Sequence, residues 1–551
     1  MNKLWYGDNL TIMQGMAKYS VDLIYLDPPF KSDTNYNLLY KNMTGKPVPE
    51  QAEAFFDTWT LDANKLEVAR AMPVLMREHG VDDYYEDFWR LWMNALRHTQ
   101  PELMAYLIYM VQRLLYMKTI LRPTGSIYLH CDPTASHYIK IMMDAIFGHQ
   151  NFRNEIIWKR TSAHSGARRY GPVHDVILFY SAGQHYTWNR VAQSYDEKYL
   201  DTKYRHNDKR GRYRLSDLTG AGRRAGDSGR PWRGFDPDAG GRHWGVPAAI
   251  VRELGGDPSL STQEKLDLLD GHDFIYMTPG RGGKPGFPQL KRYLEPGSGQ
   301  PVQDVFSDIS PVNSMAEERL GYPTQKPVAL LDRIIQASSN KGDIVFDPFC
   351  GCGTTIYSAI KNERRWVGCD IAILSVKLIR EQLIGDKWRL VERHDFEVDG
   401  IPTSVEGAEE LFRRDPFQFQ HWFVERIGGF PMQKKVADRG IDGRVYFETA
   451  EGLREVILSV KGGKLRPTDV RDLRGVMERE GAAMAGFLSL QEPSKAMKVE
   501  AAEAGMFEYN GINYPRLQLL TAREVLESKL ELHTPTKMGS RIASVQGSLA
   551  L

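Results

Sequence analysis

The chain has 551 residues, of which 42% are hydrophobic and 26% charged, with a formal net charge of +1. Such a length buries large cores and implies two or three domains. The near-neutral balance leaves nucleic acid open as a partner, because local clustering of charge decides that. No apolar run approaches the roughly eighteen residues that a membrane span needs, and the four cysteines, Cys131, Cys350, Cys352 and Cys369, show no zinc spacing.

In chain order, Met1 to Trp5 runs into a predicted strand with no signal peptide, so the cytoplasm is the expected location. The apolar run Val21 to Leu26 predicts a buried strand, and Asp27-Pro28-Pro29-Phe30 follows it. Residues 31–51 read as a loop that either closes over a substrate or simply connects. Residues 51–120 read as helices, with Trp89, Trp92, Leu96 and Leu107 recurring at helical spacing as core, and residues 141–160 give a helix and then a strand. After a compositionally distinct central stretch, Asp343-Ile344-Val345 predicts another buried strand, followed by Phe346-Asp347-Pro348-Phe349-Cys350-Gly351-Cys352-Gly353-Thr354-Thr355.

Each of these two loops stands at the carboxyl end of a predicted strand, where open α/β sheets bind ligands, and the two form one site if their strands are neighbours. The residue types suit group transfer to a base amine, a poor nucleophile because its lone pair is delocalised into the ring. The Asp27 carboxylate and the Pro28 carbonyl, held by consecutive prolines, can each accept an amine hydrogen and draw the lone pair out, and Phe30 can stack on the base. In the second loop Gly351 and Gly353 allow tight turns and close backbone approach, while Thr354 and Thr355 open a helix whose amino end favours a carboxylate. Asp370, ending the next predicted strand, is placed for ribose hydroxyls, which points to an adenosyl cofactor. Taken singly, Asp-Pro-Pro also reads as a turn and the glycine loop also occurs in phosphate-binding folds. The loop lacks the Lys of such folds, which argues against an ATPase.

With these residues in this order, the chain resembles DNA amino-methyltransferases of the β class, in which the Asp-Pro-Pro-Phe/Tyr motif comes first and the cofactor loop late. Gly321-Tyr322-Pro323-Thr324-Gln325-Lys326-Pro327 resembles the segment that closes over S-adenosylmethionine, and Tyr6-Gly7-Asp8-Asn9-Leu10 the acidic loop beside the cofactor adenine. Blocks like Thr124 to His130 and His174 to Tyr180 also occur in the family. The resemblance implies an α/β fold with a Rossmann-like S-adenosylmethionine-dependent methyltransferase sheet over residues 1–395. It implies Asp27, Pro28, Pro29 and Phe30 as catalytic residues. Around the cofactor it implies Asp8, Thr324, Gln325, Lys326, Pro327, Asp347, Pro348, Phe349, Gly351, Gly353, Thr354 and Asp370. Asp at position 27 resembles the adenine-directed members more than the cytosine-directed ones, and a cytosine amino-methyltransferase stays open as the alternative. The implied partner is double-stranded DNA, with no membrane and with a homodimer left open; an RNA or protein methyltransferase could reuse the same pocket.

The central insertion, 188–305, interleaves Arg, Gly and aromatics, as in Gly222-Arg223-Arg224, Pro231-Trp232-Arg233-Gly234-Phe235 and Gly241-Arg242-His243-Trp244. That pattern suits phosphate neutralisation, base-edge readout and stacking on displaced bases, and the family carries target recognition here. A surface insertion with solvated charge is the plainer reading. The preceding segment, Thr161 to Tyr170, is basic and also within reach of DNA in this reading.

Residues 396–414 read as a linker with a short helix. Residues 415–532 are similar to Mrr-like nucleases of the PD-(D/E)XK fold, a smaller α/β restriction-endonuclease-like domain, and 533–551 read as a loose tail. The similarity implies Glu425 and Asp442 as metal ligands for Mg2+ and Lys461 as the nuclease catalytic lysine. Ser459 departs from the pattern, standing where that fold uses Glu, Asp or Gln. The alternatives are a single-chain restriction-modification enzyme and a degenerate nuclease kept as a DNA clamp, with Lys461 and Lys464 on phosphate.

Overall fold

The computed structural model describes residues 2–29, 59–161, 170–279, 286–294, 299–313, 316, 318–320, 325–432, 440–450 and 452–535. Phe30, Thr324, the 31–51 loop, most of the basic segment before Tyr170 and most of the 533–551 tail lie outside the described residues. The chain forms two compact units, residues 1–189 together with 303–551, and residues 190–302.

The first unit is built on a sheet of nine strands among the described residues. These are β1 (Asn2–Tyr6), β2 (Val21–Leu26), β3 (Leu121–Cys131), β4 (Phe152–Lys159), β5 (His174–Ser181), β6 (Val305–Phe306), β7 (Ile344–Asp347), β8 (Arg365–Asp370) and β9 (Phe396–Asp399). Their order is β6-β4-β5-β3-β2-β7-β8-β1-β9. From β3 to β9 every neighbouring pair is parallel, whereas β5 runs antiparallel to β3 and β4. All six residues of β2 are buried, as a strand covered on both faces requires. The helices Ala63–Glu78, Tyr84–Thr99, Pro101–Ile120 and Ser136–Phe147 bury Met72, Trp89, Leu107, Leu114 and Ile139 in one core with Ile24, Leu26 and Ile127. The chain leaves β2 toward β3 but leaves β7 toward β8. The β2/β7 boundary is therefore the switch point where a sheet of this kind opens a ligand crevice.

A second, five-stranded sheet follows: β10 (Phe430–Pro431), β11 (Gly443–Thr449), β12 (Gly452–Lys461), β13 (Met484–Ser489) and β14 (Leu517–Thr521), in that order. The first three strands are antiparallel and the last three parallel. Ile457, Val470, Leu473, Met477, Phe487 and Met497 form its core with the helices Pro467–Glu480 and Lys495–Ala502. The stretch read as a linker with a short helix has a helix at Val405–Arg414 and also a strand: Phe396, fully buried and 6.0 Å from Trp366, draws Phe396–Asp399 onto the edge of the large sheet as β9. The smaller sheet thus belongs to the same compact unit as the larger one.

The second unit has a four-stranded sheet in the order Ile275–Met277, Pro288–Tyr293, Gly211–Asp217, His206–Asp208. Its core is Leu218, Trp232, Trp244, Leu266, Leu269 and Leu290. Trp232 and Trp244 are 3% and 2% exposed. The sequence pattern suited stacking on bases without assigning individual contacts; these two rings pack inside the unit's core. Several arginines are also neutralised within the unit: Arg233 by Asp267 and Asp270, Arg242 by Asp217, Arg223 by Asp238 and Arg212 by Asp201. Lys209, Arg224 and Arg230 are exposed.

Candidate active site

Four consecutive parallel strands, β2, β7, β8 and β1, end on the same side of the sheet, and each delivers a carboxylate there. Asp27 follows β2, Asp347 ends β7, Asp370 ends β8 and Asp8 stands just beyond β1. Register brings them level: Ile24 pairs with Phe346, Asp347 with Gly368, and Tyr6 with Asp370. The two loops singled out in the sequence therefore occupy adjacent strand ends.

Asp27 forms an ion pair with Lys326 through Oδ2. Below it runs a polar chain that sequence reasoning did not assign. The Tyr25 hydroxyl and His130 Nδ1 are 2.9 Å apart, His130 Nε2 and Asp175 Oδ2 are 3.1 Å apart, and Arg160 Nε lies 3.3 Å from Asp175 Oδ1. His130 and Asp175 are almost completely buried beside the runs Ile127 to Leu129 and Val176 to Phe179, and a polar residue next to such a run was the available signal. The Asp175 carboxyl lies below the ordinary carboxylate range despite its burial, because His130, Arg160 and Lys326 favour its charged form.

The second loop is held by its own acids. Asp347 accepts the Phe349 N–H at 3.0 Å and a hydrogen bond from Thr355. Asp370 accepts Gly351 N–H at 2.8 Å and Ala372 N–H at 2.9 Å, one on each oxygen. Gly353 has φ +87°, and a side chain there would meet Ile379 at 2.8 Å, so glycine is required at that turn. Cys350 and Cys352 are buried free thiols that fill space beside it. The Asn9 side-chain amide donates to the Pro348 carbonyl at 2.8 Å, and Arg113 joins Asn9 to Asp8 with bonds of 2.7 Å to each. Asp8 also caps the helix Asn9–Gly15 through Leu10 N–H. Gln325 bonds within its own segment, to Leu320 N–H and the Glu318 carbonyl, and Pro327 precedes the helix Val328–Ser338.

Crowding carboxylates away from water raises their proton affinity. Burial pushes Asp347 up to about 7 and Asp370 up to about 6. Asp370 also takes hydrogen bonds from the Ser375 hydroxyl and the Ile371 N–H. Such a rim fits a ligand that carries hydroxyl groups and a positive charge, which is the chemistry of S-adenosylmethionine.

The expected nuclease set does not assemble among the described residues. Glu425, on the helix Pro416–Arg426, accepts from the Tyr6 hydroxyl and from Ile373 N–H, both at 3.3 Å, and so faces the large sheet. Asp442 Oδ1 accepts from Gln420 at 2.7 Å, and its Oδ2 accepts Val460 N–H at 2.6 Å and the Ser459 hydroxyl at 3.3 Å. Each of these bonds takes up a lone pair that a cation would need. No group of three metal-binding side chains occurs among the described residues. Lys461, at the end of β12, is exposed. A carboxylate spent on a domain contact looks identical in sequence to one aimed at a metal, and Glu425 makes such a contact here.

Burial also pushes Glu425 up to about 8. Above the histidine range, the folded protein therefore holds more protons than the unfolded chain, whose Asp and Glu ionise near 3.8 and 4.5. Stability should fall as pH rises from about 6.5 to about 8. Thermal melting across that window is expected to show a declining midpoint, flattened in Glu425→Gln; a midpoint that rises with pH would contradict the assignment.

Comparison with known proteins agrees with this geometry. The DNA methylase family model, of the N6/N4 type, matches residues 21–381, and a family described as NACHT-associated inactive restriction endonuclease 1 matches residues 416–527. The chain is 32% identical over 279 residues to the type II methyltransferase M.EcaI of Enterobacter cloacae, covering 50% of this chain and 57% of that protein. It is 24% identical over 374 residues to the type III restriction-modification StyLTI Mod subunit of Salmonella typhimurium, covering 64% of this chain and 49% of that protein. The chain spans about half the length of these curated relatives. Among solved structures, a putative DNA modification methylase of Thermus thermophilus, complexed with S-adenosyl-L-methionine, aligns over 72% of this chain and 100% of that chain at 15% identity and a TM-score of 0.31. No described helix is long and apolar enough to cross a membrane. The acidic strand ends, the glycine loop and the match over 21–381 together mean that the chain belongs to the N6/N4 DNA methylase family.

Proposed function

We propose that the protein is a site-specific DNA methyltransferase that acts on the exocyclic amine of adenine in double-stranded DNA. The observation that carries this reading is the adjacency of β2 and β7, which sets the Asp27-Pro28-Pro29 turn beside the Asp347-to-Thr354 loop at the switch point of the sheet. Asp370, Asp347, Gly351 and Gly353 would hold S-adenosylmethionine, with Asp8, Thr324 and Gln325 around it. When bound there, that cofactor supplies an electrophilic methyl group on a sulfonium sulfur.

The chain's own residues do the rest. The target base leaves the duplex, at a cost of a few kcal/mol, and Phe30 stacks on it. Asp27 and the Pro28 carbonyl each accept one amine hydrogen, which localises the nitrogen lone pair for attack. Lys326 occupies Oδ2 of Asp27 and leaves Oδ1 for the amine. The methylated nitrogen carries one proton too many, and Asp27 is the acceptor in reach. The Tyr25-His130-Asp175 chain buttresses the Asp27 strand end from beneath. The unit at 190–302 reads the DNA, with Lys209, Arg224 and Arg230 on phosphates.

The nature of the base is tested by methylating unmethylated DNA and digesting it to nucleosides. N6-methyladenine is the expected product, and N4-methylcytosine would reassign the base while keeping the chemistry.

The smaller sheet, in this reading, binds without cutting. The saturated Asp442 and the diverted Glu425 support that, as does the inactive family matched by residues 416–527. Adding Mg2+ is therefore expected to leave unmethylated DNA intact, and Lys461→Ala to leave methylation rates within about twofold, as for surface substitutions away from reacting groups. Magnesium-dependent fragments that vanish in Lys461→Ala would restore the nuclease.

A further inference from the structure

The contact between the smaller sheet's first helix and the large sheet falls on one turn, the turn that carries Asp370. Asp370 ends β8, and residues 371–373 lead into the helix Ile373–Ile384. That helix begins without a side-chain cap: Ala372 stands at the N-cap and has nothing to offer. The first N–H groups of any helix lack intrahelical partners and need an acceptor. Glu425 supplies it, accepting Ile373 N–H at 3.3 Å. Two turns earlier on the same helix, Gln418, 1% exposed, donates to the Ile371 carbonyl at 3.3 Å. Both residues also reach the Tyr6 hydroxyl, at the end of β1. Tyr6 pairs with Asp370 across the sheet, and the Gly7 N–H bonds the Asp370 carbonyl at 3.0 Å.

Bonds to side chains would join the two domains and nothing more. These bonds end on the backbone donor and acceptor that flank Ala372, whose own N–H binds the Asp370 carboxylate at 2.9 Å. They therefore fix the φ and ψ angles on which the aim of that carboxylate depends, and the same carboxylate holds the glycine loop through Gly351 N–H.

We propose that the restriction-endonuclease-like domain completes the cofactor site, with Glu425 and Gln418 as positioning residues that hold the Asp370 turn in its ribose-binding conformation. This rests on the reading of Asp370 as a cofactor ligand. The domain then serves methyl transfer directly, and whatever binds or displaces the helix Pro416–Arg426 changes cofactor affinity.

The test uses the full-length chain and S-adenosylhomocysteine as the probe, titrated by calorimetry, with thermal melting as the check on folding. Glu425→Ala, which removes the acceptor, is expected to weaken binding about tenfold and raise the cofactor KM similarly, with the KM for DNA unchanged. Glu425→Gln keeps an acceptor oxygen and is expected to stay within about threefold of the parent. Gln418→Ala, which frees the Ile371 carbonyl, provides a second route should Glu425→Ala fail to fold, and is expected to weaken binding in the same direction. Unchanged binding in a folded Glu425→Ala or Gln418→Ala protein overturns the inference alone. A parent protein that binds no S-adenosylhomocysteine overturns the cofactor reading and this inference with it.

Discussion

Asp27→Ala is expected to lower methyl transfer by about a thousandfold or more while leaving S-adenosylhomocysteine affinity within a few-fold of the parent; removing a preorganised group that acts on the reacting atoms costs roughly that much. The side chain lies at the end of β2, outside the loop at 347–354 that holds the cofactor in this account. Its loss removes the acceptor that localises the amine lone pair. It also takes the Asp27 carboxylate from the Lys326 ammonium, whose side chain is only 11% exposed. Asp27→Asn therefore belongs beside Asp27→Ala: it keeps the shape and one acceptor oxygen but no charge. A similar loss of rate in both, with cofactor binding retained, assigns the effect to the carboxylate. Parallel loss of rate and cofactor binding would move Asp27 out of the catalytic role.

The second large effect concerns Asp370. Its two oxygens accept Gly351 N–H and Ala372 N–H, so one carboxylate shapes the glycine loop and, in this account, also meets the cofactor hydroxyls. Asp370→Ala orphans two backbone donors, at about 1–3 kcal/mol each where they stay enclosed, and removes the hydroxyl acceptors as well. Cofactor affinity is expected to fall by at least about a hundredfold, or about 2.7 kcal/mol. DNA affinity, measured by mobility shift, should hold, because the unit proposed to read DNA is a separate compact unit. Asp370→Asn should fall between, since its amide oxygen can accept only one of the two backbone bonds. Undiminished cofactor affinity in Asp370→Ala would remove β8 from the site.

Much of this site was legible in the sequence because its parts are local. An acidic or glycine loop directly after an apolar strand announces itself within ten residues, and Asp27, Asp347 and Asp370 all lie at strand ends as read. What joins them is not local. The pairing of Leu23 with Val345 spans more than half of the chain, and no periodicity encodes it. The Tyr25-His130-Asp175 chain shares that difficulty: each member is one polar residue on a buried strand, and only sheet order brings them together. Trp232 and Trp244 show a different limit. Arginine and aromatic residues in alternation describe a nucleic-acid surface and a small, tightly packed core equally well, and burial distinguishes the two. Glu425 exposes the same limit in the smaller domain, since the side of a helix that meets a neighbour is invisible until the neighbour is placed.

The most direct test of the central claim, that the loops after β2 and β7 form one methyl-transfer site, is transfer of labelled methyl from S-adenosylmethionine to unmethylated genomic DNA by the parent protein and by Asp27→Ala side by side. The account predicts label in the DNA with the parent and about a thousandfold less with the variant at equal cofactor saturation. No label with the parent, or equal label with both, would contradict it.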